Sequence, residues 1–347
     1  MDNDAPAAQV PTGKGIGFLL LTFADATLQE LVELAQLGER LGYERVYTSE
    51  SLTDTLSIDL ALAARTERIV VGSSVALAPL RHPVVAAEAA ATISELSGGR
   101  FILGLGLGHE IRNRAFGLST GPPAKYLRDY VEAVRAVLGG QGRAYYSSLP
   151  PQSYQGVGLD FRRSQYEVPV YTAAVGPRMT ALAGTMSDGA MMYLVPKSGL
   201  AASRAAMRSA AEAAGRDPAA VELNLGVHVF CSEDEAMARD QARGSLAYWV
   251  GLGAYNDSLR RSGFPDEADE IKEAFTRGDR DALHAAITDP VIDEFCIVGP
   301  PAQCHEAVRS FHEAGVDFLA LTPDPVAPGE TYPAAVARTL EQLAPGR

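Results

Sequence analysis

Residues 100–110 read RFILGLGLGHE: an apolar run, three glycines at alternate positions, then a histidine and a glutamate. A dinucleotide fingerprint needs G-x-G-x-x-G between a strand and a helix, with an acidic residue about twenty positions later for the ribose. Gly104, Gly106 and Gly108 instead give G-x-G-x-G with leucines in the gaps, and no helical period resumes before about Lys125. The stretch therefore reads as a buried strand, 101–106, whose glycines permit close backbone approach and whose exit carries His109 and Glu110.

The surrounding chain repeats one order: helix, glycine, apolar strand. Thr27 to Glu30 forms a capping box, and Leu28, Leu31, Val32, Ala35 and Leu41 recur at helical spacing before Gly42 stops the helix. ERVYTSE then follows as a strand, and the same order returns in AAEAAATISELSGGRFILGLG and EAVRSFHEAGVDFLALTP. Eight candidate strands emerge, at 15–20, 45–48, 69–75, 101–106, 170–174, 189–194, 222–230 and 316–321. Eight alternating units with wholly apolar strand centres favour a closed (β/α)8 TIM barrel over a doubly wound sheet. Two stretches fall outside the repeat: an excursion at 139–167 after strand 4, and extra helices at 248–288 after strand 7. No polar linker isolates either, so residues 14–347 read as one barrel domain behind a flexible leader at 1–13.

Composition narrows the function class. With 347 residues, 47% of them hydrophobic and 21% charged, the chain has enough apolar sequence for a large core. A net charge of -13 argues against nucleic-acid binding, which relies on a basic surface. Apolar runs such as FLLL at 18–21 are far too short to span a bilayer, and the first residues lack a signal-peptide pattern. Cys231, Cys296 and Cys304 have neither CxxC spacing nor an even count, which points to reduced thiols and a cytoplasmic chain.

Barrel enzymes place their chemistry after the C-terminal ends of the strands. Those ends here carry Thr48 to Ser51, Ser73 to Val75, His109 and Glu110, Ala173 to Pro177, Tyr193 to Lys197, and Thr322 to Asp324. Glu50 is a candidate to orient a ligand or move a proton, and equally a candidate N-cap or arginine partner. His109 stands at a strand exit on the ligand face, whereas His228 lies within the seventh strand and His82, before Pro83, reads as a helix cap. Gly176, Pro177 and Arg178 open a helix with free N–H groups and a cation, which suits an anion. Arg112, Arg114 and Lys125 read as a solvated face. No H-E-x-x-H, clustered Cys/His pattern or G-x-S-x-G elbow is present, so no metal site is expected.

Four stretches together carry a resemblance: GYERVYTSES, TERIVVGSSVALAPLRHPVVAAEAAATISELSGGRFILGLGLGHE, VPVYTAAVGPRMTALAGTMSDGAMM and IVGPPAQCHEAVRSFHEAGVDFLAL. They resemble the bacterial-luciferase-like family of flavin and deazaflavin oxidoreductases, most of all its coenzyme F420-dependent members similar to methylenetetrahydromethanopterin reductase. The resemblance implies an oxidoreductase that passes hydride between the deazaflavin C5 and a small or medium organic substrate, working as a reductase. It implies that Ser74–Val75 is a non-prolyl cis peptide supporting the ring, and that Ala173, Ala174, Gly176 and Pro177 lie near the cofactor phosphate with Arg178 as charge partner. Glu50, Ser51 and Gly108 complete the implied cofactor contacts. Family members often carry an acidic residue followed by histidine after the second strand; here Glu50 precedes Ser51, which leaves His109 and Glu50 as the catalytic candidates. A homodimer or higher homo-oligomer is implied as well. The alternatives are an FMN-dependent monooxygenase, a cofactor-binding barrel without turnover and, more remotely, a Schiff-base aldolase acting through Lys197.

Overall fold

The computed structural model describes residues 14–22, 25–50, 53–140 and 164–346. Its strands are β1 (Gly15–Leu20), β2 (Arg45–Thr48), β3 (Val70–Ser73), β4 (Ala76–Leu77), β5 (Phe101–Gly106), β6 (Val170–Ala173), β7 (Gly189–Tyr193), β8 (Glu222–Cys231), β9 (Cys296–Gly299) and β10 (Phe318–Pro323). Eight of them, β1, β2, β3, β5, β6, β7, β8 and β10, pair in parallel, and β10 closes the ring by pairing with both β1 and β8. This is the TIM barrel expected from the alternation. The leader at 1–13 and most of the excursion at 139–167 lie outside the described residues.

Local signals set several helix boundaries. In helix Leu28–Leu41 the Thr27 side chain accepts from the Glu30 N–H at 3.3 Å, Glu30 Oε2 accepts from the Thr27 N–H at 2.8 Å, and Gly42 closes the helix with φ 91°. His82 caps helix Pro83–Ser97, its Nδ1 accepting from the Val84 N–H at 3.3 Å.

The lumen is filled, not hollow. At its N-terminal end Arg45 is wholly buried and donates to both carboxylate oxygens of Glu222, at 2.6 and 2.8 Å, while its guanidinium lies 4.0 Å from the centre of the Phe318 ring. A buried charge is tolerable only with such pairing. Tyr47 Oη accepts from Asn224 at 2.8 Å in the next layer. These large side chains explain the lumen glycines: a Cβ on Gly17 would fall 2.8 Å from the Phe318 ring, and one on Gly104 would fall 2.1 Å from the Ser73 carbonyl and 2.3 Å from Met191 Sδ. The alternation from Leu103 to Gly106 is thus a strand alternating between leucines and glycine positions with no room for a side chain, while Gly108 lies past the strand end.

The sequence reading differs from the structure at four places. The expected strand 69–75 breaks at Ser74–Val75 and resumes as β4, which pairs with Leu105 and Gly106. A short helix, Glu110–Ala115, begins directly after His109, well before Lys125. The last barrel strand starts at Phe318, two residues later than 316, because Val316 accompanies the helix end. Finally β9, absent from the sequence count, adds to the C-terminal half of β8 outside the ring. Between β8 and β9 the chain forms helices Glu235–Gly251, Gly253–Arg261, Pro265–Arg277, Arg280–Ala286 and Asp289–Phe295. They bury a second apolar cluster that includes Leu194, Phe230, Cys296 and Val298 from the strand region, so they pack onto the barrel through shared core. Among the described residues no helix is long and apolar enough to cross a membrane, and no three His, Cys, Asp or Glu side chains are grouped to hold a metal.

Candidate active site at the barrel mouth

The break in the third strand is a cis peptide between Ser74 and Val75, at the pair singled out from the sequence. Both residues are half-buried at the C-terminal end of the barrel. Gly106 on the neighbouring strand leaves the space Val75 occupies: a Cβ there would lie 2.4 Å from Val75 Cγ2 and 3.1 Å from Ala173 Cβ. Val75, Gly106 and Ala173 therefore form one close-packed ledge across β3, β5 and β6.

Glu50 anchors that ledge from the side. Its carboxylate accepts from the Leu77 N–H at the end of β4 and from both Nη atoms of Arg81, one of them at 2.8 Å. Arg81 also reaches Asp54 at 2.8 Å. Arg112, expected on a solvated face, instead turns inward and donates to the Glu50 carbonyl at 3.0 Å, passing over Gly108, whose φ of 69° favours a residue without Cβ. Arg114 pairs with Glu110 and Lys125 with Asp129 on the exposed face. Ser51 lies outside the described residues.

His109 faces a wall of aromatic rings from the helices after β8. Its ring centre is 5.6 Å from Trp249 and 5.9 Å from Tyr255, and Trp249 also meets Tyr193 edge-on at 5.9 Å. Burial, with Arg112 adding to it, lowers the His109 pKa below the ordinary imidazole value, so the ring is neutral at pH 7.

Beyond Trp249, three polar groups line up, Tyr193 at the end of β7, His228 within β8 and Asp324 directly after β10. His228 Nδ1 stands 2.5 Å from Asp324 Oδ2, and His228 Nε2 stands 2.6 Å from the Tyr193 hydroxyl. Burial, then the Asp324 charge, pushes the Tyr193 phenol well above its usual range.

The helix Pro177–Met186 begins with Gly176 as its N-cap, where a Cβ would meet nothing within 4 Å, and the adjacent Arg178 is exposed and forms no ion pair with a described residue. Ala174 is buried and donates its N–H to the Met191 carbonyl at 2.9 Å, which fixes the turn out of β6. Lys197 lies with its ammonium 5.6 Å from the centre of the Phe311 ring.

The sequence profile described as luciferase-like monooxygenase matches residues 7–317. The chain belongs to this luciferase-like family. A 5,10-methylenetetrahydromethanopterin reductase of Methanolobus tindarius is 28% identical over 305 residues, covering 87% of the chain and 92% of the relative. Among solved structures, the coenzyme F420-dependent tetrahydromethanopterin reductase of Methanopyrus kandleri superposes with a TM-score of 0.78 at 22% identity, covering 96% and 98% of the two chains. An F420-dependent secondary alcohol dehydrogenase, solved with an F420-acetone adduct, gives 0.71 at 18% identity over 96% and 99%. Both likenesses carry the barrel fold.

In the luciferase-like chain the structure brings together Glu50, Ser74, Val75, Gly108 and Ala173 around the ledge, and places His109 across from it among the aromatic rings. Sequence reasoning missed Arg81 as part of the mouth, and it left His228 as a strand residue; the segment 249–264, which carries Trp249 and Tyr255, was expected to shape the pocket. Tyr193 and Asp324 stood at recognised strand ends. Knowing that β8 lies between β7 and β10 was the missing step that joins them.

Proposed function

We propose that the chain is a coenzyme F420-dependent oxidoreductase acting on a small or medium organic substrate, as a reductase. The observation that carries this reading is the likeness to a methylenetetrahydromethanopterin reductase along nearly the whole chain. The residues present fit a flat ring with an anionic tail: the Val75, Gly106 and Ala173 ledge offers a flat support, and the open helix start at Gly176 with Arg178 offers positive potential for a phosphate. When bound, the deazaflavin supplies or accepts hydride at C5.

The remaining work falls to the chain. Ser74 and Val75, held by Gly106, support the ring, with Gly108 leaving room beside them. Glu50 keeps β4 and the cis pair in place through Leu77 and Arg81, a positioning role that suits its fully engaged carboxylate. Ala173, Ala174, Gly176, Pro177 and Arg178 take the phosphate end. Neutral His109, with Trp249 and Tyr255, borders the substrate, excludes water and can accept a proton. Buried thiols without a disulfide support a reducing, cytoplasmic setting, and the family likeness supports a homo-oligomer.

Anaerobic titration of the purified protein with coenzyme F420 and, separately, with FMN tests this reading by cofactor absorbance and equilibrium dialysis. Stoichiometric, selective F420 binding is expected. Selective FMN binding would replace the reading with an oxygen-using flavin enzyme, the activity in the family's description.

A further inference from the structure

We propose that Tyr193 is the proton donor to substrate oxygen, backed by His228 and Asp324 as a relay, and that the substrate class is therefore a carbonyl compound and its alcohol. The inference rests on the hydride-transfer reading above. It begins from three ionisable side chains, Tyr193 at the end of β7, His228 within β8 and Asp324 directly after β10, joined end to end at 2.6 and 2.5 Å.

Hydrogen-bond inventory fixes the roles. An ionised carboxylate only accepts, so His228 donates from Nδ1 to Asp324, and its Nε2 is left to face the phenol. Neutral imidazole accepts the phenolic O–H there, and imidazolium donates to the phenolic oxygen. The pair can thus pass one proton in either direction without moving a heavy atom. Asp324 holds the ring's orientation, and its own backbone is fixed by a 3.0 Å bond from its N–H to the Val229 carbonyl.

The end of this chain is aimed at the mouth. His228 is 2% exposed and the groups at its two ends, Tyr193 and Asp324, are both partly buried; of the two, Tyr193 is the one whose ring meets Trp249, which also contacts His109. The backbone turns sharply right after it: Leu194, a buried non-glycine residue, has φ 49°. Such a conformation persists only where the surroundings enforce it, and here it sets the direction in which β7 leaves the phenol. A hydroxyl needed solely to satisfy His228 could come from a wholly buried residue.

The chemistry balances. With the deazaflavin bound and reduced, hydride from its C5 would add to the carbonyl carbon, which would be reduced as the C=O π pair moved to oxygen. The Tyr193 O–H bond breaks and its proton joins that oxygen. The electron pair left on the phenolate takes the proton of the His228 imidazolium from Nε2, leaving neutral imidazole still bonded to Asp324. Reversing each step oxidises an alcohol. Burial makes the lone phenol a poor acid, which is why the imidazolium behind it is needed.

The test uses the full chain with and without coenzyme F420. In the cofactor-free protein, nitrogen-15 histidine NMR is expected to show a low-field His228 Nδ1–H resonance that Asp324→Asn removes, and an Nε2 shift that changes in Tyr193→Phe. Titration then checks that Tyr193→Phe and His228→Gln bind F420 as the parent does. With F420H2 and a panel of aliphatic and aromatic ketones and aldehydes, Tyr193→Phe should lower kcat about 100-fold with KM nearly unchanged, and remove the solvent deuterium isotope effect. His228→Gln should lower kcat less. Full kcat in Tyr193→Phe, an Nε2 signal indifferent to Tyr193, or F420 binding with no turnover of any carbonyl would overturn the relay while the F420 reading stands. Failure to bind F420 would overturn that reading and the relay's hydride donor with it.

Discussion

At the scale of single residues, lumen glycines and one histidine set the terms of the site. Gly104 faces a backbone carbonyl at 2.1 Å for an added Cβ, and a carbonyl in a paired strand cannot step aside. Gly104→Ala is expected to destabilise the fold by about 2 kcal/mol, within the usual range for overpacking, visible as a lower melting temperature. Gly176→Ala, with nothing within 4 Å and an ordinary φ of -104°, should lower the melting temperature much less, by no more than the loss of a glycine N-cap. Equal melting temperatures for the two variants would contradict this account of the glycines. His109 makes a different prediction. Its pKa is lowered in the folded chain, so the unfolded chain takes up the proton first as pH falls. The stability linked to a neutral His109 is full above the ordinary value of 6.5 and is lost as pH drops through the lower, folded value. Urea midpoints between pH 7.5 and 5 should fall more steeply for the parent than for His109→Gln.

At the scale of elements, the short strand β4 is the piece whose placement depends on side chains. It pairs with β5 over two residues only, and the Glu50 carboxylate holds the N–H of its second residue, Leu77, together with Arg81. Glu50→Gln keeps the shape but removes the charge that Arg81 needs, with Asp54 left as a weaker, exposed partner. A loss of about 2 kcal/mol is expected, in line with a charged hydrogen bond, together with weaker F420 binding in the titration. Unchanged affinity would separate Glu50 from the cofactor ledge. The capping box at Thr27 and the His82 cap were legible in sequence because caps are local, made within a few residues of chain. The break at Ser74–Val75 was accessible only by resemblance, since no local pattern in VGSSVAL distinguishes it from a continuing strand.

At the scale of the whole molecule, the two ends of the barrel do different work. The Arg45–Glu222 pair spans the ring at its N-terminal end and is almost wholly buried. Glu222→Gln should cost about 3 to 5 kcal/mol by stranding the guanidinium, whereas Arg45→Met with Glu222→Met should recover most of that in denaturant melts. F420 affinity of the folded fraction should be the same in all three proteins. The sequence by itself determined the alternation of helix and strand, the eight-unit count and the strand ends at which polar residues gather, because hydrophobic period and capping act over short stretches of chain. Only the tertiary structure decided that Glu50 is bound to Arg81, that Trp249 bridges His109 and Tyr193, and that Tyr193, His228 and Asp324 touch. Those contacts join residues 31 to 140 positions apart, and barrel closure, by setting β8 between β7 and β10, is what brings the last three together.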